Sequence, residues 1–164
     1  MKNSASTVQT SFDSPLGRII LAAVGDKLAG VWFEGQRHQP DTSAWPQAPD
    51  YPVLQRAKAQ LSDYFAGRRT SFELPLALDT GTAFQQSVWR ALLKISCGTT
   101  TTYGALVAAI GKPTAARAVG GAIGRNPLSI IVPCHRVIGS NGSLIGYAAG
   151  LERKSALLQL EGNR

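Results

Sequence analysis

The spacing of apolar residues changes once along this chain, near residue 80, and that change restricts the fold more than any other feature. Upstream, the segment 10–33 reads as strands: residues 17–24 and 28–33 are rich in Ile, Leu, Val and aromatics, and Gly25-Asp26-Lys27 between them supplies the turn chemistry of a hairpin. Residues 70–78 alternate, which puts Phe72, Leu74, Leu76 and Leu78 on one side of a half-buried strand. Between these runs Val53, Leu54, Ala57, Leu61, Tyr64 and Phe65 recur at helical spacing, and Gly67 stands at the expected C-terminal cap. Downstream the period is helical. Phe84, Val88, Trp89, Leu92 and Leu93 stripe a helix over 83–95 with Thr82 as its N-cap, a second helix covers 103–110 and ends at Gly111, and a leucine-rich helix closes the chain over 151–160. Strands gathered at one end and helices at the other predict an α+β chain. A small sheet-plus-helix domain (1–79) is followed by a mostly helical domain (80–164).

Pro113 suits the first position of a third C-terminal helix running to about Ile123, so residues 103–123 form a helix-turn-helix candidate. That third helix is nearly free of large side chains. Ala115, Ala116, Ala118, Gly120, Gly121 and Ala122 surround Arg117, and each interior glycine costs about 1 kcal/mol relative to alanine. A neighbouring helix packs tightly against this one, or the thin helix is pressed into a nucleic-acid groove with Arg117 as its probe, and both can hold on different faces.

Charge favours the second reading without deciding it. The formal net charge is +7, and all of the excess lies after residue 81, with no carboxylate side chain between Asp79 and Glu152. Such a segment approaches a polyanion without like-charge repulsion. Other classes are excluded. No apolar run nears the roughly 20 residues that cross a bilayer, and the polar stretch 1–13 lacks the apolar core of a signal peptide, so a cytoplasmic protein is expected. Two cysteines, Cys97 and Cys134, are too few for a disulfide framework or a four-cysteine zinc site. Residues 35–52 carry Pro40, Pro46, Pro49 and Pro52 among polar residues and read as a surface loop, a poor place to look for chemistry.

The densest chemistry lies in 130–139. An apolar run enters Pro133, and the residue before a proline is driven extended, so Cys134 is expected at the end of a buried strand. A thiol with pKa about 8.5 needs a base or a positive charge to become a good nucleophile. His135 and Arg136 follow directly, but neighbours on a strand point to opposite faces. The chain must turn here if Cys134 and His135 are to cooperate. Cys97 has no comparable surroundings and reads as a packing residue.

Pro133-Cys134-His135-Arg136-Val137, preceded by Asn126-Pro127 and followed by Gly146-Tyr147 and Glu161-Gly162, closely resembles the O6-alkylguanine-DNA alkyltransferases. With Tyr103 and Arg117 the resemblance covers about residues 82–162, and more loosely the turn at Ser14-Pro15-Leu16-Gly17. It implies that Cys134 accepts the alkyl group of O6-alkylguanine, and of O4-alkylthymine, while Glu161 orients His135, which draws off the thiol proton through water. It further implies that Tyr103 assists departure of the base, that Arg117 enters the stack in place of the extruded nucleotide, and that Asn126 is the hinge into the active-site strand. Ala116, Gly120, Arg125 and Arg136 would join Arg117 and Tyr103 on DNA, and Tyr147, Val137, Ala148 and Ala149 would wall the alkyl pocket. Ala149 departs from the glycine common at its place in relatives, which bears on pocket width. The partner so implied is double-stranded DNA, bound by a monomer without cofactor or metal. A thioether is not reversed by thiol exchange, so each molecule would act once. Two other classes compete: a non-catalytic binder of alkylated bases that recruits repair factors, and a cysteine hydrolase using Cys134, His135 and Glu161.

Overall fold

A computed structural model describes residues 6–111 and 115–162. Three antiparallel strands, β1 (Thr7–Ser14), β2 (Gly17–Val24) and β3 (Lys27–Phe33), form a meander. The sequence reading found β2 and β3 but not β1 as a separate strand, which pairs with β2 from Thr7↔Val24 to Ser14↔Gly17. The β1–β2 turn is held by Ser14, whose Oγ donates to the Gly17 carbonyl at 2.6 Å and accepts from Leu16 N at 3.1 Å. Gly17 sits there at φ +123°, where side chains are strained.

Alternation along β2 divides its side chains between two buried faces. Ile19 and Leu21 face the main core with α1 (Pro52–Phe65), whose buried stripe is Val53, Leu54, Ala57, Leu61 and Tyr64. Ile20 and Ala22 meet Trp32 and Trp45 on the other side. Trp45 belongs to the proline-rich stretch, which is strapped to β1 by Gln9 N to the Pro46 carbonyl (2.9 Å) and Ala48 N to the Gln9 carbonyl (2.8 Å). Gly30 makes room for this packing, since a Cβ there would lie 1.9 Å from the Trp32 ring.

Residues 70–78 are not a strand. Only Leu76 makes a bridge, parallel to Leu28, and Pro75, which has no N–H, stops the ladder from growing. The rest of the β3 edge is taken by a second parallel bridge, Val31 to Leu128. This bridge brings the residues leading to Cys134 onto the sheet.

The second half opens with α2 (Ala83–Leu92), whose start is a capping box: Thr82 Oγ1 accepts from Gln85 N and Gln85 Oε1 from Thr82 N. It ends before the expected Ile95, which forms a tighter last turn with Leu92. A short strand β4 (Thr101–Thr102) leads into α3 (Tyr103–Ile110), capped by the Thr102 side chain and closed by Gly111 at φ +81°. The helix α4 (Ala116–Gly124) is tied to α2 by Trp89 Nε1, which donates to the Ala122 carbonyl at 2.8 Å. The expected start of this helix at Pro113 lies outside the described residues. After a single 3-10 turn (Cys134–Arg136), β5 (Val137–Ile138) pairs in parallel with β4, and α5 (Leu151–Gly162) closes the fold. Leu128, Val132 and Leu157 share one core with Ile19, Leu61 and Tyr64, so the core is continuous between the strand-rich and helical halves. No helix among the described residues is long and apolar enough to cross a membrane.

Candidate active site

Cys134 reaches the site on turns rather than on a strand. Residues 127–133 run through buried bends with Ile130 at φ +73°, and Cys134 opens the 3-10 turn directly after Pro133. Successive side chains on a three-residue turn diverge by about 120° instead of opposing each other, which supplies the turn that Cys134 and His135 require.

The thiol is 5% exposed and is bound from behind by Asn126. Asn126 Nδ2 donates to Cys134 Sγ at 3.3 Å and to the Val132 carbonyl at 2.8 Å, while its Oδ1 accepts from Leu128 N at 2.9 Å. Burial pushes the thiol pKa up, and the Asn126 hydrogen bond and the Lys154 charge offset this only in part. The resting sulfur therefore keeps its proton at neutral pH and needs a base.

His135, the next residue, is fixed by its own neighbours. His135 has no exposed surface, and its Nε2 lies 2.7 Å from Glu161 Oε2. Arg136 grips the same carboxylate with two nitrogens, Nε to Oε1 at 2.8 Å and Nη2 to Oε2 at 2.9 Å, and the Tyr64 hydroxyl donates to Oε2 at 2.6 Å. Burial raises the Glu161 carboxyl, but hydrogen bonds from His135, Arg136 and Tyr64 outweigh it and hold the group well below the usual carboxylate range. An ionised carboxylate can only accept, so His135 Nε2 carries the proton and Nδ1 is the bare nitrogen. Nδ1 is buried without a hydrogen-bond partner. Burial lowers the His135 pKa, the Glu161 contact raises it in part, and the Arg136 and Lys154 charges lower it further. The imidazole is neutral at neutral pH, with an acceptor nitrogen to spare.

Cys134 faces a cavity of about 610 Å³ between α4, the 146–151 segment and the loop after β3. Tyr103, at the start of α3, lines it and donates from its hydroxyl to the Ile145 carbonyl at 2.9 Å. Lys154, fully buried, donates to the Ile145 and Gly146 carbonyls at 3.1 and 3.0 Å. Burial raises the Tyr103 phenol, as does the nearby thiol, so it remains a proton donor at neutral pH. Gly120, Gly121, Gly124 and Arg125 form the α4 side of the cavity. A Cβ built on any of these three glycines meets nothing within 4 Å. The small residues of α4 thus leave an open face, and the tight-packing explanation does not apply to its glycines.

This combination of a meander-plus-helix unit with a helical unit carrying a buried thiol and a clamped imidazole matches one family along nearly the whole chain. The 6-O-methylguanine DNA methyltransferase family matches over residues 7–78 by its ribonuclease-like domain and over residues 83–163 by its DNA binding domain, and the chain belongs to it. A methylated-DNA–protein-cysteine methyltransferase of Mycobacterium leprae is 50% identical over 92% of this chain and 90% of its own length. The Haemophilus influenzae protein of that name is 42% identical over 93% and 84%. The crystal structure of Mycobacterium tuberculosis OGT in complex with DNA superposes with a TM-score of 0.86 at 47% identity, covering 93% of this chain and 91% of that one.

Of the expected site residues, Asn126 meets Cys134 and Glu161 meets His135, the two pairs joined through the Cys134–His135 backbone, and Tyr103, Tyr147 and Ala148 line the cavity with Gly120 and Arg125. Ala116 and Arg117 stand exposed on α4 outside its lining. Three expectations are corrected. Arg136 does not face DNA: it is buried, bound to Glu161 and, through Nη1, to the Ile95 carbonyl at 2.6 Å. Val137 is fully buried beside β4, and Ala149 is buried outside the cavity lining, so neither walls it. Four residues of the site are not expected from the sequence: Arg37 and His38, which line the cavity from the proline-rich loop, and Lys154 and Tyr64. A signal for Lys154 was available, because Lys154, Leu157 and Glu161 share one helical face, where charged residues on a buried stripe mark a site. Among the described residues no group of three or more His, Cys, Asp or Glu side chains is placed to hold a metal ion.

Proposed function

We propose that this chain repairs DNA by direct reversal, moving the alkyl group of O6-alkylguanine, and of O4-alkylthymine, from a flipped-out base onto Cys134 Sγ. The observation that carries the reading is the protonated, buried thiol at the cavity, followed in the chain by a neutral imidazole whose free nitrogen is unpartnered and whose other nitrogen is locked onto an ionised carboxylate. His135 Nδ1 takes the thiol proton through a water molecule, and Glu161 stabilises the imidazolium that forms. The S–C bond forms as the C–O6 bond breaks, and the electron pair leaves on the guanine. Tyr103 releases the Ile145 carbonyl and offers its proton to the departing base. The sulfur is recessed, so the alkyl carbon inside a duplex is out of reach unless the nucleotide is extruded. Arg117 on α4 fills the gap in the stack, the open glycine face admits the backbone of the minor groove, and Arg125 contacts phosphate. Residues 80–164 form the transferring unit, with α3 and α4 as its helix-turn-helix, and residues 1–79 support it. The product thioether is stable, so one molecule repairs one lesion. The protein acts as a cytoplasmic monomer.

Intact-mass spectrometry after incubation with a duplex containing O6-methylguanine tests this reading. The expected result is a gain of one methyl that maps to Cys134 and is absent in Cys134→Ser, which still binds duplex. Binding with no mass change would identify a recruiter of other factors, and turnover of an ester or amide would identify a hydrolase; either refutes transfer.

A further inference from the structure

We propose that Tyr64, on α1 of the N-terminal half, is a positioning residue of the proton relay: its hydroxyl sets how Glu161 presents its negative charge to His135. The proposal rests on the transfer reading above and adds the N-terminal half to the relay. Tyr64 is fully buried, and its hydroxyl crosses 97 residues of sequence to reach Glu161 Oε2 at 2.6 Å. His135 Nε2 and Arg136 Nη2 approach that same oxygen at 2.7 and 2.9 Å. Three donors share an atom with two lone pairs, so each weakens the hold of the others. Tyr64 therefore tempers the pull of Glu161 on the imidazole. Without it, Oε2 is more basic toward His135, the imidazolium is stabilised, and the base is lost to protonation at a higher pH. The remaining charged or titratable groups facing His135 are Lys154 from α5, Arg136 and Cys134 on its own turn, and Tyr147, whose ring centroid lies 6.4 Å away. Of these, Arg136 shares Glu161 Oε2 with Tyr64 and Tyr147 interacts electrostatically with Tyr64, so Arg136 takes up part of the charge that the hydroxyl releases and His135 the rest.

The ring itself packs edge-on against Phe65 at 5.3 Å and against Phe72 at 5.5 Å, so Tyr64→Phe preserves the apolar contacts. The chain has two histidines, His38 and His135, so an NMR titration of the imidazole protons, assigned with the aid of His38→Gln, follows His135 by itself. In Tyr64→Phe the His135 titration is expected to move up by about one pH unit, the size of one charge-assisted hydrogen bond, and the acid limb of the transfer rate to move with it. Replacing Tyr64 with 3-fluorotyrosine, a stronger donor of nearly the same shape, is expected to move both the other way, and it supplies the test if the phenylalanine variant does not fold. An unmoved His135 titration, or an acid limb that does not follow it, overturns the proposal. The titration needs no substrate, so it remains decisive even if the wild-type protein transfers nothing, an outcome that would refute the transfer reading instead.

Discussion

The glycines of α4 make an unusual demand on the protein, and replacing them should improve stability while harming function. Gly120 and Gly121 lie inside a nine-residue helix, and the Cβ of an alanine at either position would meet no atom within 4 Å. With no packing to disturb, the full difference in helix propensity is recovered, about 0.5–1 kcal/mol at each position and ~1–2 kcal/mol for the pair. For a urea dependence of about 2 kcal/mol per molar, the midpoint of unfolding should rise by ~0.5–1 M with an unchanged slope. The same two methyl groups would stand between the helix backbone and an incoming duplex. Duplex affinity should fall roughly tenfold, about 1.4 kcal/mol. Chemical denaturation and fluorescence anisotropy with a labelled duplex, run on the Gly120→Ala/Gly121→Ala protein, measure both effects. A lowered midpoint would mean the helix face is packed after all. A raised midpoint with unchanged affinity would mean that DNA approaches elsewhere.

Two further outcomes are expected. Arg136→Met strands the Glu161 carboxylate, which is 3% exposed, with Tyr64 and His135 as its remaining donors, and should cost about 3–5 kcal/mol at neutral pH. In the wild type the depressed Glu161 pKa contributes stability above the unfolded value of 4.5 that is lost only as pH falls through the much lower folded value. The variant's burial-raised carboxyl gains by taking up a proton, so the gap between the two proteins should narrow on acidification through the ordinary carboxylate range, and a pH-independent gap in urea titrations would refute the ion-pair account. Arg117→Ala should slow repair of duplex far more than reaction with the free modified base, since the exposed side chain has no part in the thiol chemistry; equal losses in a single-turnover assay would remove its role in extrusion.

Helices were legible because their signals are local. The α3 bounds, its Gly111 stop and the Thr82 cap of α2 follow from spacing and from side chains that bond within one turn. The errors share a physical cause, which is that burial erases pattern. The apolar run before Cys134 reads equally as a strand or as buried turns, and only the Val31–Leu128 bridge and the core around Ile130 decide between them. Charge counting failed in the same way. Arg136 and Lys154 count toward the basic excess of the second half, yet one is neutralised by Glu161 and the other is buried against two carbonyls, so the cations free to touch phosphate are exposed residues such as Arg90, Lys94, Arg117 and Arg125. Tyr64 was unreadable as a functional residue because its position in the α1 stripe is that of any core aromatic. Its partner lies in the last helix.

Ile130 holds a left-handed backbone angle that a β-branched side chain resists, at a cost on the order of 1–3 kcal/mol, and its side chain is 1% exposed. No sheet ladder runs through it; the bonds from Ile131 N to the Ser129 carbonyl and from Val132 N to the Leu128 carbonyl, both 2.8 Å, close the turn around it within the packed interior. The segment bearing the nucleophile is in effect a sprung catch, kept cocked by the pressure of Leu128, Val132 and their neighbours. Anything that slackens the interior, even far out on the meander, should let the catch relax and silence the sulfur well before the molecule unfolds.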